Sequence, residues 1–427
     1  MTIDRPAKRE RLMTKDFALI MTANSGTAFM NHMAAVALAF HVAAVGGLQV
    51  HTGIIVMASS ITALIMRPVA GRLSETFGRV KLLIIGAIIC TVASVAYGLT
   101  TMIPMLILLR AVLGIGFGMH STCAGAAAVD ILPKSRVAEG IGIFGLGATL
   151  AQAAGPGLAM FIIAGGTLSD YRMLFLATGG MCAISAIANM CITYERKRKK
   201  DIKCKADHDN ITAEPENAIQ AEAQAKEKQQ AALPKTFLGF EYAVFSPMIS
   251  LTFMIVGFAG LILYLPVFAV NTGIGNPALY FLFSAIGVFI SRMIFGRIVD
   301  RRGSDIVVIP GTIVMALAFF VIPHINTLVA LFALGMFLGF AQGAVMPTFN
   351  AIFFKRCSTA RRGTASGAHF SAIDIGFAIG GLFHGRLVDV YGYAAVFRAG
   401  GVLMILSLLV YILIASDKRY ENKGRKS

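Results

Sequence analysis

Apolar runs of about twenty residues recur roughly twelve times along this chain, each bounded by charged residues or by Gly/Pro turns. A helix of about that length crosses the roughly 30 Å hydrocarbon core of a bilayer. The runs begin at Phe17, Gly53, Leu82, Met105, Ile141 and Met173, then at Ala243, Leu279, Val307, Leu328, Gly363 and Ala394. With 56% hydrophobic and 14% charged residues, the chain is too apolar for an ordinary soluble domain. The expected fold class is an all-α membrane protein of two six-helix bundles.

An internal repeat supports the division into two. The stretch Gly71-Arg72-Leu73-Ser74-Glu75-Thr76-Phe77-Gly78-Arg79-Val80-Lys81 reads as a short charged turn between apolar runs, and it returns as Gly296-Arg297-Ile298-Val299-Asp300-Arg301-Arg302-Gly303. At the same offset, Arg67 pairs with Arg292, and Gly114 and Gly118 pair with Gly339 and Gly343; Tyr171 to Phe175 matches Tyr393 to Phe397. Several matches at nearly one spacing mark a duplication.

The net charge of +16 would suit nucleic acid if it lay on one folded face, but it falls in loops on alternate sides of the apolar runs. Lys- and Arg-rich short loops stay in the cytoplasm. This rule puts both termini there, together with the turns at Arg72 to Lys81, Lys134 and Arg136, Arg297 to Arg302, and Lys355 to Arg362. The opposite turns near Gly46, Thr100, Gly273 and Asn326 lack Lys and Arg, with Arg172 and Arg386 as exceptions. The expected organisation is a cytoplasmic arm over 1–16, bundles over 17–194 and 242–416, a basic and polar cytoplasmic linker over 195–241, and a tail over 417–427. The linker is expected to be mobile and helical in part. Its run Arg196 to Lys200 reads either as a topology signal or as a contact for anionic lipid. The six cysteines are scattered and form neither a metal site nor a disulfide framework.

These features together resemble the major facilitator superfamily, and within it the twelve-helix drug/proton antiporter type. The family's turn after helix two is matched by Gly71, Leu73, Gly78 and Arg79, with Glu75 in place of its usual aspartate and Thr76 in place of the following arginine. Leu109-Arg110-Ala111-Val112-Leu113-Gly114 is similar to its fourth-helix arginine motif, with Leu113 where glutamine is usual. Ala151-Gln152-Ala153-Ala154-Gly155-Pro156-Gly157 is similar in part to the Gly-Pro signature of proton-exchanging exporters. The resemblance implies a gate in which Glu75 approaches the start of the eleventh helix near Gly363, Thr364 and Ser366, and Arg79 pairs with Asp130. Gly71, Gly78, Gly296, Asp300 and Arg301 belong to the same gating set.

The remaining candidates come from the residues themselves. Gly155 and Pro156 permit close packing and a kink where two halves slide. Asp374 is a carboxylate near the middle of a span, where desolvation disfavours its charged form and suits it to bind and release a proton. Arg110 lies inside an apolar run and needs a watery cavity, a partner or a route to the interface. No acid occupies the first span, so the proton site falls on Asp374 or involves His32, His120 or His369. Asn24 and Asn31 share a helix face. With Gln152, Tyr264, Gln342 and Asn350 they offer neutral polar contacts for an amphipathic small molecule, or else hydrogen bonds between helices. The expected activity is export of a small organic molecule in exchange for protons, by alternating access, in the cytoplasmic membrane. The proton gradient is its driving force, with no cofactor, no metal and no nucleic acid partner, and the protein is expected to be monomeric. An uptake symporter and a non-transporting sensor or scaffold are the alternatives. No nucleophile-base set or phosphate loop points to an enzyme.

Overall fold

The computed structural model describes residues 12–133, 136–195, 236–237, 240–275, 277–357 and 362–417. Twelve long helices occupy them. The first half contains α1 (Lys15–Ala44), α2 (Gln49–Phe77), α3 (Arg79–Leu99), α4 (Ile103–Ile131), α5 (Val137–Ile162) and α6 (Leu168–Met190). The second contains α7 (Tyr242–Asn271), α8 (Ala278–Arg302), α9 (Asp305–Val321), α10 (Leu328–Arg356), α11 (Arg362–Tyr391) and α12 (Tyr393–Val410), the last ending in a π-turn at Tyr411–Ala415. Each begins within about five residues of the apolar run that implied it. Eleven are long and apolar enough to cross a membrane. The twelfth, α11, is as long but carries His369, Asp374, His384, Arg386 and Asp389.

The alternation of the twelve helices brings the start of α1 and the end of α12 to one face, the terminal face. The predicted linker lies mostly outside the described residues, but its end forms a strand pair, β1 (Thr236–Phe237) against β2 (Phe240–Glu241), with Thr236 opposite Glu241.

The two halves pack alike. In the first, α1 lies against α5 and α6, α2 against α4, and α3 against α4 and α6. In the second, α7 lies against α11 and α12, α8 against α10, and α9 against α10 and α12. The paired glycines explain one of these matches. A Cβ on Gly118 would come within 2.8 Å of the Ala63 carbonyl oxygen in α2, and one on Gly343 within 2.7 Å of Val288 Cα in α8. Helices in lipid gain little from hydrophobic burial and depend on such backbone approach, together with bonds such as Thr62 Oγ1 to the Ala111 carbonyl at 2.8 Å. The halves meet where α2 packs on α11, α5 on α8, and α1 on α7.

The charged hairpins depart from the sequence expectation. Gly71 is not in a turn: α2 continues through it to Phe77, and the reversal is Gly78 alone, with φ of +92°. Likewise α8 runs through Gly296 to Arg302 and turns at Gly303, with φ of +85°. Only glycine adopts such φ values without strain. Each hairpin is fastened by an acid that the sequence reading had left outside the bundles. Glu195 Oε1 accepts the N–H groups of Arg79 at 2.5 Å and Val80 at 3.1 Å, capping α3. Asp417 Oδ2 accepts the N–H of Ser304 at 2.8 Å, capping α9. A carboxylate at these free amides is favoured by the helix dipole. Replacing Glu195 or Asp417 with alanine is expected to cost about 1 kcal/mol each in thermal or denaturant unfolding of the detergent-solubilised protein, and unchanged stability would contradict the capping role.

Candidate functional site

Asp374 lies on the face of α11 turned to α2, and its partner is Arg67. Arg67 Nε is 2.6 Å from Asp374 Oδ2, and Nη2 donates to Oδ1 at 3.3 Å. Nη1 donates to Ser121 Oγ in α4 at 3.0 Å, and the guanidinium lies 4.9 Å from the centroid of the Phe370 ring. Arg67 is 7% exposed and Asp374 8%. A bidentate guanidinium–carboxylate fork answers two desolvated charges at once, and its planar geometry fixes their relative positions. The pair joins one half of the molecule to the other. Sequence reasoning had Asp374 but missed Arg67 as its partner, although an arginine in the run beginning at Gly53 was a signal.

The other proton candidates are placed apart from this fork, with one exception. His369 is buried on α11 between Phe353 and Phe370, with ring centroids at 5.5 and 5.6 Å and Nδ1 without a hydrogen-bond partner. Phe370 thus touches both His369 and the Arg67 guanidinium, which brings this histidine near the fork. Arg110 is 4% exposed in α4 with its Nε unpartnered, and its electrostatic neighbours are Tyr97 and Cys90 rather than Asp374. His32 packs in α1 against Gly155, whose added Cβ would sit 3.2 Å from the His32 Cβ. His120 is held inside the first half, with Nδ1 3.2 Å from Thr27 Oγ1 and Nε2 3.1 Å from Asn189 Nδ2. That bonding describes a packing contact.

On the face opposite the termini a second polar contact closes the halves together. Asp389, near the end of α11, accepts the N–H groups of Gln49 at 2.9 Å and Val50 at 2.8 Å, so it caps α2. Tyr264 donates its hydroxyl to the Gln49 carbonyl at 3.3 Å. A Cβ on Gly385 would lie 2.6 Å from that same oxygen, and one on Gly53 would lie 2.8 Å from the Gly381 carbonyl carbon. The helices touch backbone to backbone. Tyr264, expected as a substrate contact, is fully buried and belongs to this closure. Nothing in the sequence signalled Gln49 or Asp389.

Near the terminal face, Arg79 Nη1 lies 2.7 Å from Asp130 Oδ2, the pairing that the family resemblance implied. Arg301 is exposed in the last turn of α8. The side chains of Glu75 and Asp300, the surroundings of Gly296, and the first residues of α11 at Gly363 and Thr364 lie outside what the structure describes, so the contact expected of Glu75 does too. Gly155 packs α5 on α1, and two residues on, a Cβ at Gly157 would sit 3.5 Å from the Ala278 carbonyl oxygen of α8. Pro156 is buried between them within a continuous helix. This signature therefore sits where α5 meets both neighbours.

Of the amides, Asn24, Asn31, Gln152 and Asn350 are partly exposed, Gln342 is buried at 7%, and none makes a side-chain hydrogen bond among the described residues. Free amides on three helices, α1, α5 and α10, suit a ligand better than a role in holding helices together.

Breaking the fork has a calculable consequence. Arg67→Ala leaves a buried carboxylate unpaired, and is expected to cost about 3–5 kcal/mol in unfolding free energy. Adding Asp374→Asn to that variant is expected to restore part of the loss, because the stranded charge is removed with its partner. Equal stability of Arg67→Ala and the unaltered protein would contradict the pairing.

Comparison with known proteins places these features in a family. The family model described as Major Facilitator Superfamily matches residues 17–380 and 278–427. The staphylopine export protein of Staphylococcus aureus is 22% identical over 366 residues, covering 84% of this chain and 86% of its own length. The multi-drug resistance efflux pump PmrA of Streptococcus pneumoniae is 22% identical over 384 residues, covering 86% and 88%. Among solved structures, a D-xylose-proton symporter superposes with a TM-score of 0.73 at 15% identity, covering 94% of this chain and 98% of that one. With its duplicated six-helix halves, this chain belongs to the major facilitator superfamily and is a multi-pass membrane transporter, not an enzyme.

Proposed function

We propose that this transporter exports a small amphipathic organic molecule across the cell membrane in exchange for protons, with Asp374 as the proton site and both termini in the cytoplasm. The observation that carries this reading is the buried fork between Arg67 and Asp374, because it is a titratable contact spanning the two halves. While Asp374 is ionised, the fork holds α2 to α11. Protonation removes the carboxylate charge and most of its attraction for Arg67, so the helices are freed to slide and the halves to rock.

Alternating access then needs a closure that opens on each side in turn. The contacts of Asp389 and Tyr264 with Gln49 supply one on the extracellular face in this orientation. Their hydrogen bonds are few, so they are suited to repeated breakage. The unpartnered amides Asn24, Asn31, Gln152, Gln342 and Asn350 serve as polar contacts for the cargo. Export rather than uptake is supported by relatives named as an export protein and an efflux pump. Uptake by symport is the second reading, favoured by the likeness to a proton symporter of known structure; the same fork would serve either direction.

Inverted vesicles carrying the protein and an acid-interior gradient distinguish the two. Adding norfloxacin, a zwitterionic amphiphile with a carboxylate, outside should dissipate the gradient reported by a pH-sensitive dye, as protons leave in exchange for norfloxacin entering. Asp374→Asn is expected to reduce this response to that of vesicles without the protein. A full response in Asp374→Asn would remove Asp374 from the coupling step, and proton movement in the same direction as the cargo would replace export with symport.

A further inference from the structure

The duplication gives Arg67 a counterpart, Arg292 in α8, but gives Arg292 no acid. Arg67 faces α11 with Gly53 and Val56, whose neighbour there is Gly381. At the same offset of 225 residues, Ala278 and Phe281 of α8 face α5, where their neighbour is Gly157. Arg292 follows Phe281 by about three helical turns and so continues along this α5-facing stripe. The side of α8 turned to α10 is a different one, occupied by Tyr280, Ser284, Gly287 and Ser291.

The position in α5 that corresponds to Asp374 is Thr149, whose hydroxyl donates to the Gly145 carbonyl of its own helix at 2.9 Å. Beyond Glu139 in its first turn, α5 contains no acid. Among the described residues Arg292 has no hydrogen bond or ion pair: its Nε is buried and unpartnered, while the residue is partly exposed. A guanidinium within a span, here about one turn from the end of its apolar part, is costly unless an anion or water answers it. Its fork of N–H donors matches carboxylate geometry.

We propose that Arg292 is an anion-binding residue of the transport pathway, and that the cargo is an amphiphile bearing a carboxylate which takes at Arg292 the place that Asp374 takes at Arg67. This deepens the transport reading above and rests on it for the location of the pathway. The two arginines then divide the work. One is held by the protein's own acid, which a proton discharges, and the other by an acid that arrives with the cargo. A zwitterionic or anionic amphiphile is selected over a purely cationic one.

Three probes of one shape separate charge from size: 1-naphthoate, 1-naphthamide and 1-naphthylmethylammonium, titrated against the purified full-length protein in phosphatidylcholine nanodiscs. The unaltered protein is expected to bind naphthoate at least about tenfold more tightly than either other probe, the worth of one charge-assisted contact. Arg292→Gln should abolish the preference and Arg292→Lys should keep part of it. Thr149→Asp, which supplies the acid that the duplication left out, should abolish it with Arg292 still in place. Failure of naphthoate to bind, equal binding of the three probes, or a preference that survives both Arg292→Gln and Thr149→Asp would overturn the proposal. A naphthoate preference that depends on Arg292, in a protein whose vesicle response ignores Asp374, would reject the proton assignment and leave the anion site standing.

Discussion

A charge within the thickness of a membrane is stable only when something answers it, and this structure is arranged around one such answer. Arg67 and Asp374 satisfy each other at 2.6 Å, with Ser121 and Phe370 completing the surroundings of the guanidinium. Neither residue could remain ionised there alone at modest cost. Because the two belong to different halves, what stabilises the charges also fixes the relation of the bundles. A contact of that kind adds less to stability than its Coulomb attraction suggests, since desolvation offsets much of the gain. In the proposed exchange, its value lies in being conditional on one proton.

The rest of the interface is consistent with a joint that moves. Gly53 against Gly381 and Gly385 against Gln49 bring α2 and α11 into backbone contact with little side-chain interlock. Gly155 and Gly157 let α5 lie close to α1 and α8. Smooth surfaces of this sort pack well in one position and resist sliding weakly. By contrast, within each half the hairpins are fastened by Glu195 and Asp417, and the first half is cross-linked further through His120, Thr27 and Asn189. Each bundle thus carries fastenings of its own that do not cross the junction.

Much of this was legible in the sequence. Twelve apolar runs and a 225-residue repeat gave the helices and their pairing, because membrane thickness and duplication both leave periodic marks. Asp374 stood out because an acid in an apolar run is rare, and the paired glycines because close helix contact demands them. Other features left weaker marks. The hairpins read as turns from Gly71 and Gly296, whereas helix persists to Phe77 and Arg302; charged residues do not end a helix, and only the glycine with positive φ does. Glu195 and Asp417 had a signal in their 222-residue spacing, the same as that of Tyr171 and Tyr393, but their role depends on where α6 and α12 end in space. Tyr264 looked like a cargo contact because composition cannot tell a hydroxyl facing a pathway from one bonded to the Gln49 carbonyl.

The central claim is that ionised Asp374 holds the halves in one relation and its protonation releases them. Spin labels at Thr76 and Arg302, exposed ends of α2 and α8 on the terminal face, would report that relation directly as a distance distribution in nanodiscs. Proton-gated pairing predicts one dominant separation at alkaline pH and a second population on acidification, with Asp374→Asn showing the second population at every pH. A distribution that ignores pH in the unaltered protein, or a pH response that persists in Asp374→Asn, would contradict it.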